Sequence, residues 1–151
     1  MRRTSQLKLL ARVAVVAAAL AACGKSSSTT EPVDPGGFLG TYVLKTINGA
    51  APPALYYITA SQTVVLDTAT IRVNANNTYS DIRTTTVTDI RGITTADFAR
   101  TGAYTTSGSE ITFAFTNDLG IPATETLTLT GRTLTVTEGP PDQRKTLTFV
   151  K

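Results

Sequence analysis

Residues 111–138 read "ITFAFTNDLGIPATETLTLTGRTLTVTE". Ile111, Phe113 and Phe115 fall on one side of an extended chain, with threonine and alanine between them. "NDLGIP" (117–122) breaks the pattern. "ETLTLT" and "TLTVTE" then alternate apolar residues with threonine about Gly131-Arg132. A period of two is the signature of a strand with one buried and one wet face. Threonine suits the wet face, because its branched Cβ favours extended backbone and its hydroxyl meets water. Three strands joined by local turns predict antiparallel hairpins rather than parallel crossovers.

The same pattern extends in both directions. "GTYVLKTING" places Tyr42, Leu44 and Thr46 on one face and ends on the turn pair Asn48-Gly49. "TVVLDTATIRV" (63–73) reads as a strand, and "NANN" (74–77) breaks it. Asn76-Asn77 fits a tight hairpin because asparagine tolerates positive φ. "TYSDIRTTTVTDI" (78–90), "ADFARTGAYTT" (96–106) and "KTLTFVK" complete the set, with "SGSE" (107–110) as a further turn. In "APPALYYITA" (51–60), Pro52-Pro53 argue against the start of a central strand, and Tyr56 and Tyr57 are expected on opposite faces. The expectation is an all-β domain with a single up-and-down antiparallel barrel of about eight strands; a β-sandwich is the alternative.

The first residues, "MRRTSQLKLLARVAVVAAALAAC", have a different character. Arg2, Arg3, Lys8 and Arg12 form a basic head, and Val13–Ala22 is an unbroken apolar run. Such a run has the length of a signal-peptide core; a spanning helix needs about 20 apolar residues. The predicted layout is a signal peptide over 1–22, Cys23 with a flexible tether over 23–37, and the barrel domain over 38–151. The tether, "GKSSSTTEPVDPGG" after Cys23, is too polar and too rich in Pro and Gly to form a core.

Charge sharpens the division. The full chain has a formal charge of +3. Four of its 14 basic residues precede Cys23, and none of its 11 acidic residues does. The remainder therefore carries a slight negative excess. It has no basic stripe through which to attract a phosphate backbone, so no nucleic-acid partner is expected.

The chain contains no histidine. A Ser–His–Asp triad is therefore unavailable. No phosphate-loop or calcium-loop spacing occurs. Ser107 and Ser109 read as turn residues, and Asp67, Asp81, Asp89 and Asp97 as surface or turn carboxylates. No catalytic residue, metal or cofactor is expected. Arg100 shares a strand face with Phe98, Gly102 and Tyr104. Inward, it would set a guanidinium in the barrel or at its mouth, suited to a ligand carboxylate; outward, it would be solvated. The inward set is expected to include Tyr42, Leu44, Phe113, Phe115, Leu127, Leu129, Leu134 and Val136. That set lines a ligand cavity or fills a packed core.

Two resemblances follow from these residues. Leu20-Ala21-Ala22-Cys23 resembles the lipobox of bacterial lipoproteins. That resemblance implies cleavage before Cys23, a diacylglycerol on its sulfur, and anchoring in the cell envelope through acyl chains. Gly24, where aspartate is the family's inner-membrane signal, leans towards the outer membrane.

"GTYVLKTINGAAPP", "VNANNTYSD", "RTGAYTTSGSEITFAF" and "LTGRTLTVTE" with "KTLTFVK" resemble successive elements of lipocalin-like domains in bacterial lipoproteins, across residues 38–151. Gly40-Thr41-Tyr42 departs from that family, which usually has tryptophan at the third position. The resemblance implies a non-enzymatic, membrane-anchored protein that binds a small apolar or amphipathic ligand. The candidate contacts are Tyr42, Leu44, Arg100, Tyr104, Phe113 and Phe115. The alternative is a filled barrel that contacts another envelope protein.

Overall fold

The alternation of Tyr, Leu, Ile, Val and Phe with threonine becomes nine antiparallel strands in a computed structural model that describes Asp34 and residues 37–151. The predicted signal peptide, Cys23 and most of the tether lie outside the described residues. The strands are β1 (Gly40–Ile47), β2 (Ala54–Ile58), β3 (Gln62–Val73), β4 (Thr78–Asp89), β5 (Gly92–Ser107), β6 (Glu110–Thr116), β7 (Pro122–Thr130), β8 (Thr133–Glu138) and β9 (Lys145–Val150). The described residues contain no helix.

From β3 to β9 each strand pairs with the next, β9 pairs with β1, and β1 pairs with β3 through Gly40–Val43. This closes an eight-stranded up-and-down barrel. The expected fold class is therefore the observed one. Closure gives every barrel strand a neighbour on each side over at least part of its length, but among the described residues Gly92–Gly102 of β5 has no partner on the β6 side.

Strand phase decides what is inside. Tyr42, Leu66, Ile111, Phe113, Leu127, Leu134, Leu147 and Phe149 are fully buried. Threonines at 41, 105, 126, 128 and 137 face outward. An apolar interior behind a threonine-rich exterior is the reverse of a membrane-spanning barrel, which is apolar outside. The turn chemistry is also as expected. Asn48 and Gly49 both have positive φ, at 49° and 83°, the pair of conformations that a tight primed hairpin turn requires. Asn77 has φ 59°.

Three expectations need correction. First, a bulge in the β1–β9 pairing between Leu44 and Thr46 breaks the alternation, so Ile47 is buried in place of Thr46. Second, residues 54–58 do form a strand. Pro52-Pro53 stand just ahead of it, and β2 adds to β3 outside the closed ring through Ala54↔Leu66 to Ile58↔Thr63. The other edge of β2 meets a side chain instead of a strand: the Gln143 amide accepts from Ile58 N and donates to Ile58 O, both at 2.8 Å. Third, β5 begins at Gly92 rather than residue 96, and its turn is Ile90-Arg91.

Candidate functional site

The two ends of the barrel differ. The first described residues of the domain, the turns at 74–77, 107–110 and 130–133, and Lys151 share one end, which we call proximal. There Phe38 is fully buried, and Tyr42 Oη donates to its carbonyl at 2.9 Å. Lys151 Nζ donates to the carbonyls of Gly37 and Leu39 and lies 5.4 Å from the Tyr42 ring centre. Burial, with help from Asp34, pushes the Tyr42 hydroxyl up to about 12. The Tyr42 hydroxyl is thus committed to closing this end.

The middle is filled. Tyr42, Leu44, Tyr104 and Phe113 all point inward and are at most 5% exposed. A void large enough for a ligand would leave such side chains accessible. Instead Phe113 stacks on Tyr79 at 3.9 Å with the rings 7° apart, and Tyr104 Oη donates to Asn74 O at 2.9 Å. The expected ligand-facing set is therefore gathered in one place, but as packing. Phe115 lies higher, partly buried, with the Arg100 guanidinium 4.0 Å above its ring centre.

The distal end is plugged by charge. Asp81 and Arg83 of β4 continue the inward phase of Tyr79, and Arg100 of β5 stands directly across from Asp81. Glu125 continues the phase of Leu127 and Leu129 on β7, and Glu138 continues that of Leu134 and Val136 on β8. The Arg83 guanidinium donates to both Asp81 oxygens at 3.1 Å from Nε, to Glu138, and to Tyr56 Oη at 3.1 Å. Tyr56 Oη donates to Glu138 Oε1 at 2.6 Å. Arg100 Nη2 donates to Asp81 at 2.9 Å and to Glu125. Six side chains on five strands thus form one continuous network.

Asp81, expected at the surface or in a turn, is fully buried within it. Pairing register did this: only inward phase next to Tyr79, with two guanidiniums in reach, makes such burial affordable. The other three aspartates have local roles. Asp67 accepts from Thr86 Oγ1, Asp89 from Arg91 N, and Asp97 from Thr84 Oγ1. Of the two expected alternatives for Arg100, the inward one holds. Its Nη2 is engaged by the protein's own carboxylates, so its observed role is that of an internal counter-ion.

Three carboxyls face two guanidiniums, so one proton balances the cluster. Burial raises Glu125 to about 7, aided by the charge of neighbouring Glu138. Burial alone would raise Glu138 too, but the Arg83 charge and its hydrogen bonds pull Glu138 below its ordinary value. Of the two glutamates, Glu125 therefore takes up a proton more readily than Glu138. Arg83 is held charged by Glu138 and Asp81 against the cost of burial. Arg100 Nε and Tyr79 Oη are buried without a hydrogen-bond partner, so the match is incomplete at this layer.

Sequence reasoning missed Glu125, Glu138, Arg83 and Tyr56. The signal was present, because each carboxylate occupies an inward position of its strand's alternation. Beside Tyr56, a pocket of about 240 Å³ is lined by Tyr56, Tyr57, Thr59, Gly139 and Pro140. The two tyrosine rings stand 5.6 Å apart, tilted by 58°.

No family model matches the chain, and neither a curated protein nor a solved structure matches it.

Proposed function

We propose that this chain is a non-enzymatic, lipid-anchored protein of the bacterial cell envelope whose filled barrel presents its distal rim to another envelope protein. The anchor is Cys23, acylated after removal of residues 1–22, and Gly24 directs the protein to the outer membrane. The resemblance to lipocalin-like lipoproteins supports the class. The closed eight-stranded barrel is consistent with it.

One contrast carries the choice of an interaction module over a carrier. The interior is occupied by its own side chains, while large apolar residues stand in water around the distal loops. Ile90 is 98% exposed, Leu119 81% and Ile121 55%. Ile90 tips the β4–β5 hairpin and Leu119 and Ile121 lie in the β6–β7 loop, and apolar groups held in water there offer a partner surface to bury. A photo-reactive phenylalanine analogue at position 119, compared with one at position 76 on the proximal end, tests this in the native host. The expected result is a discrete protein adduct from position 119 only. Equal adducts from both positions, or none from 119, would reject the reading.

A second reading has its own support at the mouth. The Tyr56–Tyr57 pocket is of a size for a small amphipathic ligand, although pockets for drug-sized ligands are commonly larger. Native mass spectrometry of the mature protein from its host separates the two readings, since a carrier retains a bound small molecule.

A further inference from the structure

Tyr56 and Tyr57 are consecutive on β2 and were expected on opposite faces. They line one pocket instead, because the β2–β3 register skips Tyr56: Leu55 pairs with Val65 and Tyr57 with Val64. A bulge of this kind breaks the alternation and re-aims a side chain. The ring planes stand at 58° with their centres 5.6 Å apart, so the rings form two walls of a corner. Thr59 and, just beyond β8, Gly139 and Pro140 supply the rest.

The polar atoms of this wall are already in use. Tyr56 Oη donates to Glu138 Oε1 at 2.6 Å and accepts from Arg83 Nη1 at 3.1 Å. Tyr57 Oη accepts from Gln62 Nε2 at 3.3 Å. Thr59 Oγ1 accepts from Ser61 N at 3.3 Å and Gln62 N at 3.1 Å. A ligand group with several N–H or O–H donors would give up bonds to water here without replacing them.

Charge narrows the choice further. Behind Tyr56 lies the distal plug, where Asp81, Glu125 and Glu138 outnumber Arg83 and Arg100 by one. Glu138, the nearest of the three carboxylates in the chain to Gly139, is the one that holds the Tyr56 hydroxyl. The negative face of an aromatic ring attracts a cation, and most of all a methylated ammonium, which is apolar on its outside. We propose, resting on the ligand-binding reading of the mouth, that this pocket takes a quaternary methylammonium group. Such a group carries positive charge and has no N–H that needs a partner. The pocket, at about 240 Å³, is below the usual range for drug-sized ligands and suits a head group.

The plug gives this binding a pH dependence. Glu125 is faced by Glu138 of β8, Arg100 of β5, Arg83 and Tyr79 of β4 and Tyr56 of β2, and Asp81 shares Arg100 with it. Burial raises Glu125 to about 7. A cation at the mouth favours the ionised carboxylate, so binding tightens as pH rises through that value. A neutral ligand lacks this electrostatic link.

The test uses the full chain in micelles of a neutral glycoside detergent, with the Tyr57 ring signals followed by NMR. Choline is compared with its neutral carbon isostere, in which a tert-butyl group replaces the trimethylammonium. Choline should bind with a Kd of about 1 mM or below, and the isostere about tenfold more weakly. Followed on the Tyr56 ring, Tyr57→Leu should weaken choline about tenfold, and Tyr57→Phe should leave it nearly unchanged. From pH 6 to pH 8 the parent should gain about threefold in affinity for choline, and Glu125→Gln should abolish that gain. Phosphocholine distinguishes the source: tighter binding than choline indicates a lipid head group and weaker binding a free solute, and either order supports the methylated ammonium. Equal binding of choline and the isostere would overturn the proposal while leaving a ligand pocket. Binding of neither up to about 10 mM would overturn the ligand reading as well.

Discussion

Replacing Glu125 with glutamine should change how stability responds to pH. Glu125 lies 14% exposed at the distal plug, its carboxyl against Glu138 and Arg100. Its pKa is raised from 4.5 to about 7, chiefly by burial. A raised carboxyl binds its proton more tightly in the folded state, so it favours folding below its unfolded value. That contribution is lost as pH climbs to about 7 and above. The size follows from about 1.4 kcal/mol per unit, giving roughly 3 kcal/mol across the window. For a domain of this size that is on the order of 10 °C in melting temperature.

The window is otherwise quiet, because the chain has no histidine. Thermal melts of the parent from pH 5 to 8 should fall, and those of Glu125→Gln should stay level. Glu138, with a lowered pKa, acts in the opposite sense: its contribution is present above its unfolded value and lost in acid below that range. Parallel curves for parent and variant across pH 5 to 8 would refute the assignment of the proton.

Arg83→Leu should cost about 3–5 kcal/mol in urea denaturation, because it leaves Asp81 buried and Glu138 nearly so, without their main counter-charge. Gly102→Ala drives a Cβ into Ala114 O and against Tyr79 Cε1 and should destabilise by about 3 kcal/mol or more, measured by the same unfolding curves. Gln143→Ala removes both hydrogen bonds to Ile58. It should cost about 1–2 kcal/mol and speed amide exchange at Ile58, with the β4 amides unchanged.

The barrel was legible because it rests on local features. Period-two alternation fixed the inward set from Tyr42 to Val136, and Asn48-Gly49 and Asn76-Asn77 fixed turns within a residue. β2 was obscured because Pro52-Pro53 disfavour a central strand, yet an edge position asks less of the backbone. The bulge after Leu44 carries no composition signal; it arises from how β1 meets β9. The charge plug was hidden for a different reason. Whether Asp81 is buried depends on Arg100 lying across from it and on Glu125 and Glu138 arriving from β7 and β8, which is a matter of register between distant segments. Each carboxylate occupies an inward position of its strand's alternation, yet Asp81 was expected at the surface and Glu125 and Glu138 were passed over, because the counter-charges that make such burial tolerable became visible only on pairing.

The closure between β1 and β9 has a consequence for how the chain folds. Until β9 is in place, β1 has only its short pairing with β3, and Tyr42 and Leu44 lack the cover of Leu147 and Phe149. The decisive contact joins the segments that are farthest apart in the barrel, which makes folding slow and late. A chain that emerges N-terminus first can form the hairpins from β3 to β8 one after another, but none of them closes the ring. The outermost strands of that growing sheet keep open edges throughout the interval, and the ring seals only when the ninth strand emerges.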